Sequence, residues 1–471
     1  MWGLIIAGGS VGTLLIVALV FQASRRLLST FLIAAKYSLI WFGGLLGLRR
    51  LAAALRGKPY ERLTRPAMLR LIFEDLGPTY IKLGQIVASS PGLFTDPYVK
   101  EFRKCLDRVP SFPADVARRI VLEELGEKVK AMSMEAEPLA SASIAQVHGV
   151  KLADGTDLVI KVQRPGITDR IGADLKIMRF WASVASALLP TVRMANPVGI
   201  IEDFGQTIAE ELDFALEGKN IDEFNRIMVE LEHARICAPR VDWERTTRRV
   251  LTMERFYGHN VDDVDRIRET DVDAETKLLE GMRAWFQCVM FYGLFHGDVH
   301  AGNLMWLDDG RIGFLDFGIV GRFNDQQRKM VTRYVMSFAT GQFRQLAEVM
   351  VEMGSATKAV DVELLAADVE KAYAPMRQLN FAEMKYIDLL PNILAMARRH
   401  QLRMPREFIL IVKQVLYFDR YAKLLAPELN VFTDPRVFAA LAEDVQKALT
   451  SGGVGARVAS APPTPGPEPT T

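Results

Sequence analysis

The sequence has few cysteines and almost no net charge, and each shortage excludes a class of protein. Its three cysteines, Cys105, Cys237 and Cys288, lie far apart, so they predict neither a disulfide framework nor a cysteine metal site. The 58 basic and 57 acidic residues leave a net charge of +1, which gives no basis for a nucleic-acid partner. We therefore expect a main body in a reducing compartment and no binding to nucleic acid.

Charged side chains are also absent from residues 1–24, and this absence predicts a membrane anchor. The apolar run 2–23 is long enough to cross a bilayer at ~1.5 Å of rise per residue. Arg25 and Arg26 follow the run, which argues against a cleaved signal peptide and places the rest of the chain in the cytoplasm. We expect one transmembrane helix in the inner or cytoplasmic membrane.

Residues 25–58 form a basic and apolar segment that fits more than one relation to the membrane. The apolar run 31–48 contains Lys36 and ends before Arg49 and Arg50. It fits a second span, an interfacial helix or a buried helix. Basic residues at both ends favour the interface.

The stretch 295–318 carries three groups that suit phosphoryl transfer. Asp298 and Asn303 are five residues apart, and Asp316 follows a predicted hairpin that would bring it level with Asn303. Phosphoryl transfer needs a carboxylate to orient the acceptor and oxygen ligands for the Mg²⁺ on the phosphates. We therefore predict that Asp298 is catalytic and that Asn303 and Asp316 bind Mg²⁺. Gly318 would let the backbone turn sharply after the ligand.

The same stretch offers an alternative, because His296 and His300 have the i, i+4 spacing of two zinc ligands on a helix. Gly297 and Gly302 favour a loop over a helix at this point, and no glutamate follows His296 to act as a base. We expect the histidines to orient the catalytic loop through hydrogen bonds.

A period-two pattern after Pro138 predicts a small-residue loop followed by a hairpin that turns at Asp154 and Gly155. Small residues let backbone amides approach phosphates, and a lysine on the return strand would reach the α- and β-phosphates. The loop is rich in alanine and serine, so taken alone it is a poor match to a glycine-rich phosphate loop. The residues expected at the phosphates are Ala140, Ser141, Ala142, Ser143 and Lys161.

Two further segments allow either a structural or a functional role. The predicted helix 209–220 carries acidic residues that form a solvated face or supply a glutamate to pair with Lys161. The predicted strand 249–258 contains Met253 and Glu254. These two residues either form a hinge whose backbone contacts adenine or belong to an ordinary core strand. A polar group in an apolar helix after Pro78, namely Lys82, Gly84 and Gln85, suggests by itself only a snorkelling surface lysine.

Taken together, these residues resemble the UbiB/AarF family of atypical kinase-like proteins, which is associated with ubiquinone and related isoprenoid-lipid biosynthesis. The resemblance covers about residues 61–432. Its specific marks are the Lys-x-Gly-Gln that begins at Lys82, the alanine-rich loop at 140–143, and the Glu-x-Asp of Glu211 and Asp213.

The resemblance implies an α+β, two-lobed protein-kinase-like fold with a helical N-terminal extension, and ATP and Mg²⁺ as cofactors. It implies that Lys82 and Gln85 act as regulatory residues over the nucleotide, with Lys82 paired to Glu211, and that Glu217 pairs with Lys161. It further implies an ATPase-like activity coupled to membrane lipid, with protein phosphorylation suppressed. Isoprenoid quinone precursors and a quinone-biosynthesis complex are the partners it suggests.

Two departures from the family pattern stand out. Gly297, Val299 and Ala301 stand where the family usually has alanine, proline and proline. The predicted anchor is N-terminal, whereas comparable bacterial members of the ubiquinone pathway usually carry theirs at the C-terminus.

Three functions compete on these residues. The first is a membrane-bound ATPase or atypical kinase that supports isoprenoid quinone synthesis. The second is a small-molecule phosphotransferase of the aminoglycoside or choline kinase type, and the third is a nucleotide-sensing scaffold. Lys82 and Gln85 argue against the second, and the combination of Asp298, Asn303, Asp316 with Lys161 favours catalysis over the third.

The predicted organisation has six segments. They are an anchor at 1–24, the basic and apolar segment at 25–58, a helical extension at 59–135, an N-lobe at 136–257, a helical C-lobe at 258–450, and a disordered proline-rich tail at 451–471.

Overall fold

A computed structural model describes residues 22–46, 63–89, 96–102, 104–105, 110–189, 196–269, 273–356, 360–378, 393, 395–397, 399–403, 405–429 and 434–451. These residues form two compact units. Unit 1 holds the described residues up to Ala215 together with Asp242–Thr252, and unit 2 holds Leu216–Val241 and those from Met253 onward. The predicted anchor lies outside the described residues except for its last three, and the predicted tail does so except for Ser451.

Unit 1 begins with helices and continues into an antiparallel sheet. Its helices are α1 (Gln22–Leu45), α2 (Arg65–Leu76), α3 (Pro78–Ser89), α4 (Asp96–Phe102), α5 (Ala114–Leu125), α6 (Ile167–Leu188) and α7 (Pro197–Glu211). Its strands are β1 (Met132–Met134), β2 (Ala140–Ser141), β3 (Ala145–Leu152) and β4 (Asp157–Gln163). Strand β6 (Val250–Glu254) completes the sheet, in the order β1-β3-β4-β6 with β2 paired to β3.

The sheet of unit 1 is held by one face of α5. Ile120, Val121 and Leu125 of that helix pack against buried residues of β3, β4 and β6, among them Ile160 and Val250. Alternate residues of a strand share a face, so Ile160 and Val162 lie on one face of β4, and a helix with its apolar residues on one side covers that face. This packing fixes β4, the strand that carries Lys161.

Helix α1 packs on α2 and α6 by polar contacts. The Arg26 guanidinium binds the buried Asp174 carboxylate on α6, with Nη2 3.0 Å from Oδ2. On α2, Asp75 accepts hydrogen bonds from Lys36 Nζ at 2.7 Å and from the Tyr37 hydroxyl at 2.9 Å. Alone among the described helices, α1 is long and apolar enough to cross a membrane by length and composition.

Unit 2 is mainly helical, with short strands. Its helices are α8 (Phe214–Glu230), α9 (Val264–Arg268), α10 (Ala274–Gln287), α11 (Asp325–Thr340), α12 (Phe343–Met353), α13 (Val362–Gln378), α14 (Arg406–Leu425) and α15 (Pro435–Ser451). Its strands are β5 (Ile236–Cys237), β7 (Gly258–Asn260), β8 (Leu294–His296), β9 (Leu304–Leu307), β10 (Ile312–Phe314), β11 (Val320–Arg322), β12 (Ser355–Ala356) and β13 (Leu402–Arg403).

The central sheet of unit 2 has the order β5-β10-β9-β7, and two smaller sheets pair β8 with β11 and β12 with β13. The predicted hairpin is confirmed, because β9 and β10 are antiparallel with Phe314 opposite Leu304. The chain reverses at Gly310, whose φ of 85° is one that glycine adopts without strain. Aromatic side chains pack beneath the hairpin, with Phe224 5.0 Å from Phe317 between ring centroids.

Two sequence-based boundaries were wrong. The segment expected to be helical to residue 135 ends its helical part at Ala131, and the next residues form β1 against β3. The helix expected over 209–220 is broken after Glu211. At that point the Leu212 carbonyl accepts a hydrogen bond from Gln163, and the Phe214 N–H donates to the Arg248 carbonyl. Those backbone groups bond outside the helix, so one helix ends and another begins.

The division into units also differs from the predicted lobes. Residues 216–241 belong to unit 2, although the predicted N-lobe runs through them from 136 to 257. The division near the predicted hinge falls between Thr252 and Met253, inside β6.

Candidate functional site

The β9–β10 hairpin of unit 2 brings the two predicted metal ligands, Asn303 and Asp316, to the same end of the hairpin. The Leu315 N–H donates to the Asn303 carbonyl at 2.8 Å, so the backbone beside Asp316 is joined to that of Asn303. The sequence predicted this alignment, because the hairpin is closed by a local turn whose residues are adjacent in the chain.

The backbone at Asp316, just before the predicted turn, has an unusual conformation. Asp316 itself has a φ of 48°, in the left-handed region that non-glycine residues seldom adopt, whereas Gly318 does not have a positive φ. The Asp316 Oδ1 accepts a hydrogen bond from the Gly318 N–H at 3.2 Å. Aspartate tolerates this conformation because its short carboxylate bonds to the nearby backbone. The chain turns at Phe317 and Gly318, where the turn was predicted, and the left-handed conformation of Asp316 orients its carboxylate.

Asn303 connects the predicted metal site to the predicted catalytic carboxylate. Its Nδ2 donates to the Asp298 carbonyl at 2.9 Å, and this orientation leaves the amide oxygen, Oδ1, as the atom suited to a cation. Asn303 is buried and Asp316 is exposed. One amide oxygen and one carboxylate are hard donors of the kind Mg²⁺ takes when phosphates supply further ligands. These residues therefore fit the implied ion.

His296 is a structural member of this loop. Its Nε2 lies 2.7 Å from the Leu315 carbonyl, and its Nδ1 accepts from the Asp298 N–H at 3.2 Å. Burial holds the pKa of His296 below its ordinary value. The Nδ1 of His300 accepts from the Gly302 N–H at 3.1 Å. The expectation that these histidines orient the loop agrees with the contacts, and no metal-binding cluster of three or more His, Cys, Asp or Glu occurs in the described parts of the chain.

Helix α14 supplies contacts to this loop that the sequence did not predict. The buried Gln414 donates through Nε2 to the Gly297 carbonyl at 2.6 Å and accepts through Oε1 from the Val299 N–H at 2.7 Å. The Tyr421 hydroxyl donates to the Val299 carbonyl at 2.9 Å. Proline has no N–H, so the bond to Gln414 depends on this chain having valine at 299.

A lysine of α14 reaches the predicted catalytic carboxylate. Lys413 Nζ lies 3.0 Å from Asp298 Oδ1. These residues are 115 positions apart, and the apolar period of the helix gave no sign that Lys413 faces the loop. The one indication in the sequence was that two polar residues, Lys413 and Gln414, stand side by side within an otherwise apolar pattern.

In unit 1, Lys161 is buried on β4, opposite Val147 of β3. Its ammonium lies 5.1 Å from the centroid of the Phe214 ring. A cation over an aromatic face is stabilised electrostatically, and the more so away from water. The strand and the burial agree with the predicted position of this lysine.

The alanine-rich loop of unit 1 is braced by an arginine that the sequence analysis missed. Arg164 donates through Nε to the Ala142 carbonyl at 2.9 Å and through Nη2 to the Ser141 hydroxyl at 2.9 Å and the Pro110 carbonyl at 3.0 Å. Of the loop residues, Ala140 and Ala142 are exposed and Ser143 is buried. The guanidinium holds two carbonyls and one hydroxyl at once, because its donors are held in a rigid fork.

Lys82 on α3 pairs with Glu211 at the end of α7, with Nζ 2.8 Å from Oε2, as the resemblance implies. The Lys82 side chain is 21% exposed and that of Glu211 only 5%, so Lys82 is not a simple surface lysine. Gly84 allows α3 to approach α4, because a Cβ there would lie 2.8 Å from the Phe102 ring. Gln85, one residue further along α3, is half-buried.

The remaining candidates occupy separate places. Asp213 lies 3.3 Å from the Arg248 guanidinium in unit 1. In unit 2, Met253 is buried, and Glu254 accepts from the Arg240 N–H at 3.2 Å. Glu217 is buried on α8 in unit 2, whereas Lys161 belongs to unit 1, and their pairing stays a prediction.

The small sheet with its buried lysine and the hairpin flanked by Asp298 and Asp316 define a kinase-like protein. The family model for the ABC1 atypical kinase-like domain matches residues 104–350, and that for the UbiB helical domain matches residues 369–430. The chain belongs to the UbiB/AarF family of atypical kinase-like proteins. The prediction of a kinase-like fold with a helical extension is confirmed.

Relatives resemble this chain over most of its length. It is 38% identical over 420 residues to an uncharacterized chloroplastic aarF domain-containing protein kinase of Arabidopsis thaliana, covering 83% of this chain and 78% of the relative. It is 30% identical over 404 residues to a probable protein kinase UbiB of Pseudomonas paraeruginosa, covering 83% and 75%. A Mycobacterium tuberculosis protein solved in complex with erythromycin is 22% identical, covers 78% and 95%, and has a TM-score of 0.48.

Proposed function

We propose that this protein is a membrane-associated atypical kinase or ATPase that binds Mg²⁺-ATP and transfers or hydrolyses its terminal phosphoryl group. The observation that carries the proposal is the local set in unit 2. There, Asn303 is bonded to the Asp298 carbonyl, and the backbone beside Asp316 is bonded to Asn303. That set supplies an acceptor-orienting carboxylate and two oxygen ligands at the two chain ends of one hairpin and in the loop before it.

Each residue has a proposed role. Asp298 orients the acceptor, and Asn303 and Asp316 hold the magnesium ion, which when bound offsets the charge of the phosphates. Lys161 contacts the α- and β-phosphates and is held by Glu217, while the loop 140–143 covers them. Met253 and Glu254 present backbone to adenine. Lys82, Gln85, Glu211 and Asp213 form a regulatory group over the nucleotide that suppresses phosphorylation of proteins.

The proposal is tested by nucleotide-dependent thermal unfolding of the full chain in detergent, with Asp316→Asn as the variant. Ligand at ~100 times its dissociation constant stabilises the folded state by roughly 2.7 kcal/mol. We expect a Mg²⁺-dependent rise of the thermal midpoint in the wild type and its loss in the variant. A wild-type midpoint that ATP and ADP both leave unchanged would contradict the proposal and favour the scaffold.

We further propose that the activity supports biosynthesis of an isoprenoid quinone of the ubiquinone type, with its lipid precursors and a biosynthetic complex as partners. This part is supported by the family and by relatives named UbiB. Stimulation of ATP turnover by vesicles that contain a polyprenylated phenol tests it. Turnover that such vesicles leave unchanged, together with phosphorylation of a soluble small molecule, would favour the phosphotransferase alternative.

The membrane contact is proposed to include the outward face of α1. The polar residues Arg26, Lys36 and Tyr37 bond to α2 and α6. The outward side is mainly apolar, with the exposed Arg25 and the 55% exposed Lys36 side chain beside it. Phe31 is 69% exposed and Leu39 72%, and the same side carries further large apolar residues. These are Leu27, Leu32, Phe42 and Leu46.

A continuous exposed apolar face marks a surface for a partner or a membrane. The uncharged residues 1–21 precede α1 directly, which favours a lipid bilayer as the occupant. A helix fixed to a folded unit by Asp174 and Asp75 cannot cross the bilayer without carrying those carboxylates into it. Helix α1 therefore lies in the plane of the interface, and this choice among the alternatives for residues 25–58 belongs to the proposal.

Spin labels at Phe31→Cys and Phe42→Cys in vesicles test the orientation, in a Cys237→Ser background because Cys105 and Cys288 are buried. An in-plane helix places both labels at the same depth, whereas a spanning helix separates them by roughly 16 Å along the normal. A label at the exposed Leu122→Cys of α5 serves as the water-facing control. Unequal depths at the first two positions would contradict the in-plane arrangement.

A further inference from the structure

Helix α14 binds the catalytic loop through two adjacent residues with different roles. Gln414 is buried and bonds to the backbone on both sides of Asp298, at Gly297 and Val299. Lys413, the preceding residue, reaches the side chain of Asp298 itself. The helix thus contacts the loop backbone and the carboxylate at the same place.

The contact with the carboxylate is close and partly sheltered. Lys413 Nζ lies 3.0 Å from Asp298 Oδ1, and the side chains are 21% and 23% exposed. On the other oxygen, His300 Nε2 lies 3.7 Å from Oδ2. The backbone of the same aspartate is fixed by Asn303 and His296. Main chain and carboxylate are therefore each held in one orientation.

We propose that Lys413 is a positioning residue for phosphoryl transfer, acting through Asp298. It fixes the direction of the carboxylate that orients the acceptor, and it offsets the repulsion between that carboxylate and the anionic phosphoryl group. The inference rests on the proposed function, and it assigns a role in the reaction to a residue of the helical segment 369–430.

The chemistry of the step explains why such a lysine helps. The acceptor oxygen, of water or an alcohol, forms a bond to the γ-phosphorus while the bond from phosphorus to the bridging oxygen breaks and ADP leaves. The acceptor proton passes to Asp298 and then to solvent. Because the transition state is loose, orientation of the acceptor matters more than the basicity of the carboxylate. A cation that orients Asp298 therefore raises the rate.

The test compares Lys413→Met, Lys413→Arg and a matched control, Arg420→Met, on the same helix at an exposed position. The measurements are kcat and KM for ATP hydrolysis, nucleotide affinity, and the thermal midpoint without nucleotide, all on the full chain in detergent. We expect Lys413→Met to lower kcat by about 10- to 100-fold with nucleotide affinity within about twofold of wild type. Lys413→Arg should recover most of the rate, and Arg420→Met should match wild type.

A double-mutant cycle with Asp298→Asn separates positioning from a general structural role. If Lys413 acts through Asp298, Lys413→Met has little further effect on the residual rate of Asp298→Asn. Equal losses in both backgrounds, or a Lys413→Met rate within twofold of wild type, would overturn the inference. Should Lys413→Met fail to fold, Lys413→Arg decides, because a folded arginine variant as slow as Asp298→Asn also overturns it. A wild-type chain that neither binds nor hydrolyses nucleotide overturns the proposed function as well.

Discussion

The candidate residues of unit 1 and those of unit 2 are held by different kinds of contact. In unit 2, Asp298, Asn303 and Asp316 lie within 19 consecutive residues, 298–316. The Asn303 side chain bonds to the Asp298 carbonyl, and a backbone hydrogen bond joins Asn303 to Leu315, the neighbour of Asp316. In unit 1, Lys82 and Glu211 come from helices far apart in the chain and meet in one ion pair. Contacts between residues close in sequence therefore position the first set, and the packing of distant helices positions the second.

This difference has a consequence for stability. Backbone bonds within a hairpin survive most side-chain changes, whereas a sheltered ion pair depends on both of its members. Helix α14 is an intermediate case, since it holds a local loop through the remote side chain of Gln414. Substitutions in each of these places should therefore have graded effects.

The largest effect is expected at the ion pair of unit 1. Lys82→Met leaves the Glu211 carboxylate buried without its lysine, which should cost about 3 kcal/mol of unfolding free energy. The thermal midpoint of the variant without nucleotide measures the loss. The matched control is Arg333→Met, which breaks an ion pair with Glu352 in which both side chains are nearly half exposed, and should cost less than ~1 kcal/mol. Equal effects would show that the pair in unit 1 is no better sheltered than the surface pair.

A smaller effect is expected at the contact between α14 and the catalytic loop. Gln414→Leu leaves the Val299 N–H and the Gly297 carbonyl buried without their partner, at a cost of about 2 kcal/mol. Urea unfolding followed by a probe in unit 2 measures it. Gln206→Leu, which removes an exposed glutamine on α7, is the control and should leave stability nearly unchanged. If Gln414→Leu unfolds with the same free energy as the wild type, the bonds from Gln414 do not stabilise the loop.

The smallest effect is a pH dependence from His296. Its pKa is lowered in the folded state by burial, so the folded protein binds its proton less readily than the unfolded chain. The stability it contributes is present above the unfolded pKa of about 6.5 and is lost as pH falls below it. His148 in unit 1 is also buried with a lowered pKa and adds a dependence of the same sign.

Thermal midpoints measured between pH 7.5 and pH 5 test this dependence. The wild-type midpoint should fall through that range, and His296→Gln should make the fall shallower without abolishing it, because His148 remains. A variant as steep as the wild type would show that the buried imidazole of unit 2 does not contribute to the acid sensitivity.

Much of unit 2 was predictable because its signals are local. A turn tripeptide between two apolar runs specified the β9–β10 hairpin, and the spacing of Asp298, Asn303 and Asp316 specified their common end. The turn at Gly318 was predicted, but the left-handed conformation of Asp316 just before it was not. The hydrogen bond from the Gly318 N–H to the Asp316 carboxylate, which favours this conformation, cannot be predicted from residue types alone.

The break after Glu211 could not be predicted for a related reason. The residues 209–220 have good helical character. The helix is interrupted because the Leu212 carbonyl bonds to Gln163 and the Phe214 N–H bonds to the Arg248 carbonyl. Gln163 ends β4 and Arg248 lies in the bend before β6, so the competition for the backbone exists only once these segments are packed against the helix.

The sequence by itself determined the family, the hairpin with its acidic and amide residues, the strand with Lys161, and the extent of the apolar N-terminal region. Adjacent residues generate those features through turns and periodicity, so folding adds little to them. The resemblance already implied that Lys82 meets Glu211. Only the tertiary structure decided that Arg164 braces the alanine-rich loop and that Lys413 and Gln414 hold the residues around Asp298. Each of these contacts joins a side chain to a group elsewhere in the sequence, and their meeting is fixed by how the elements pack rather than by any local pattern.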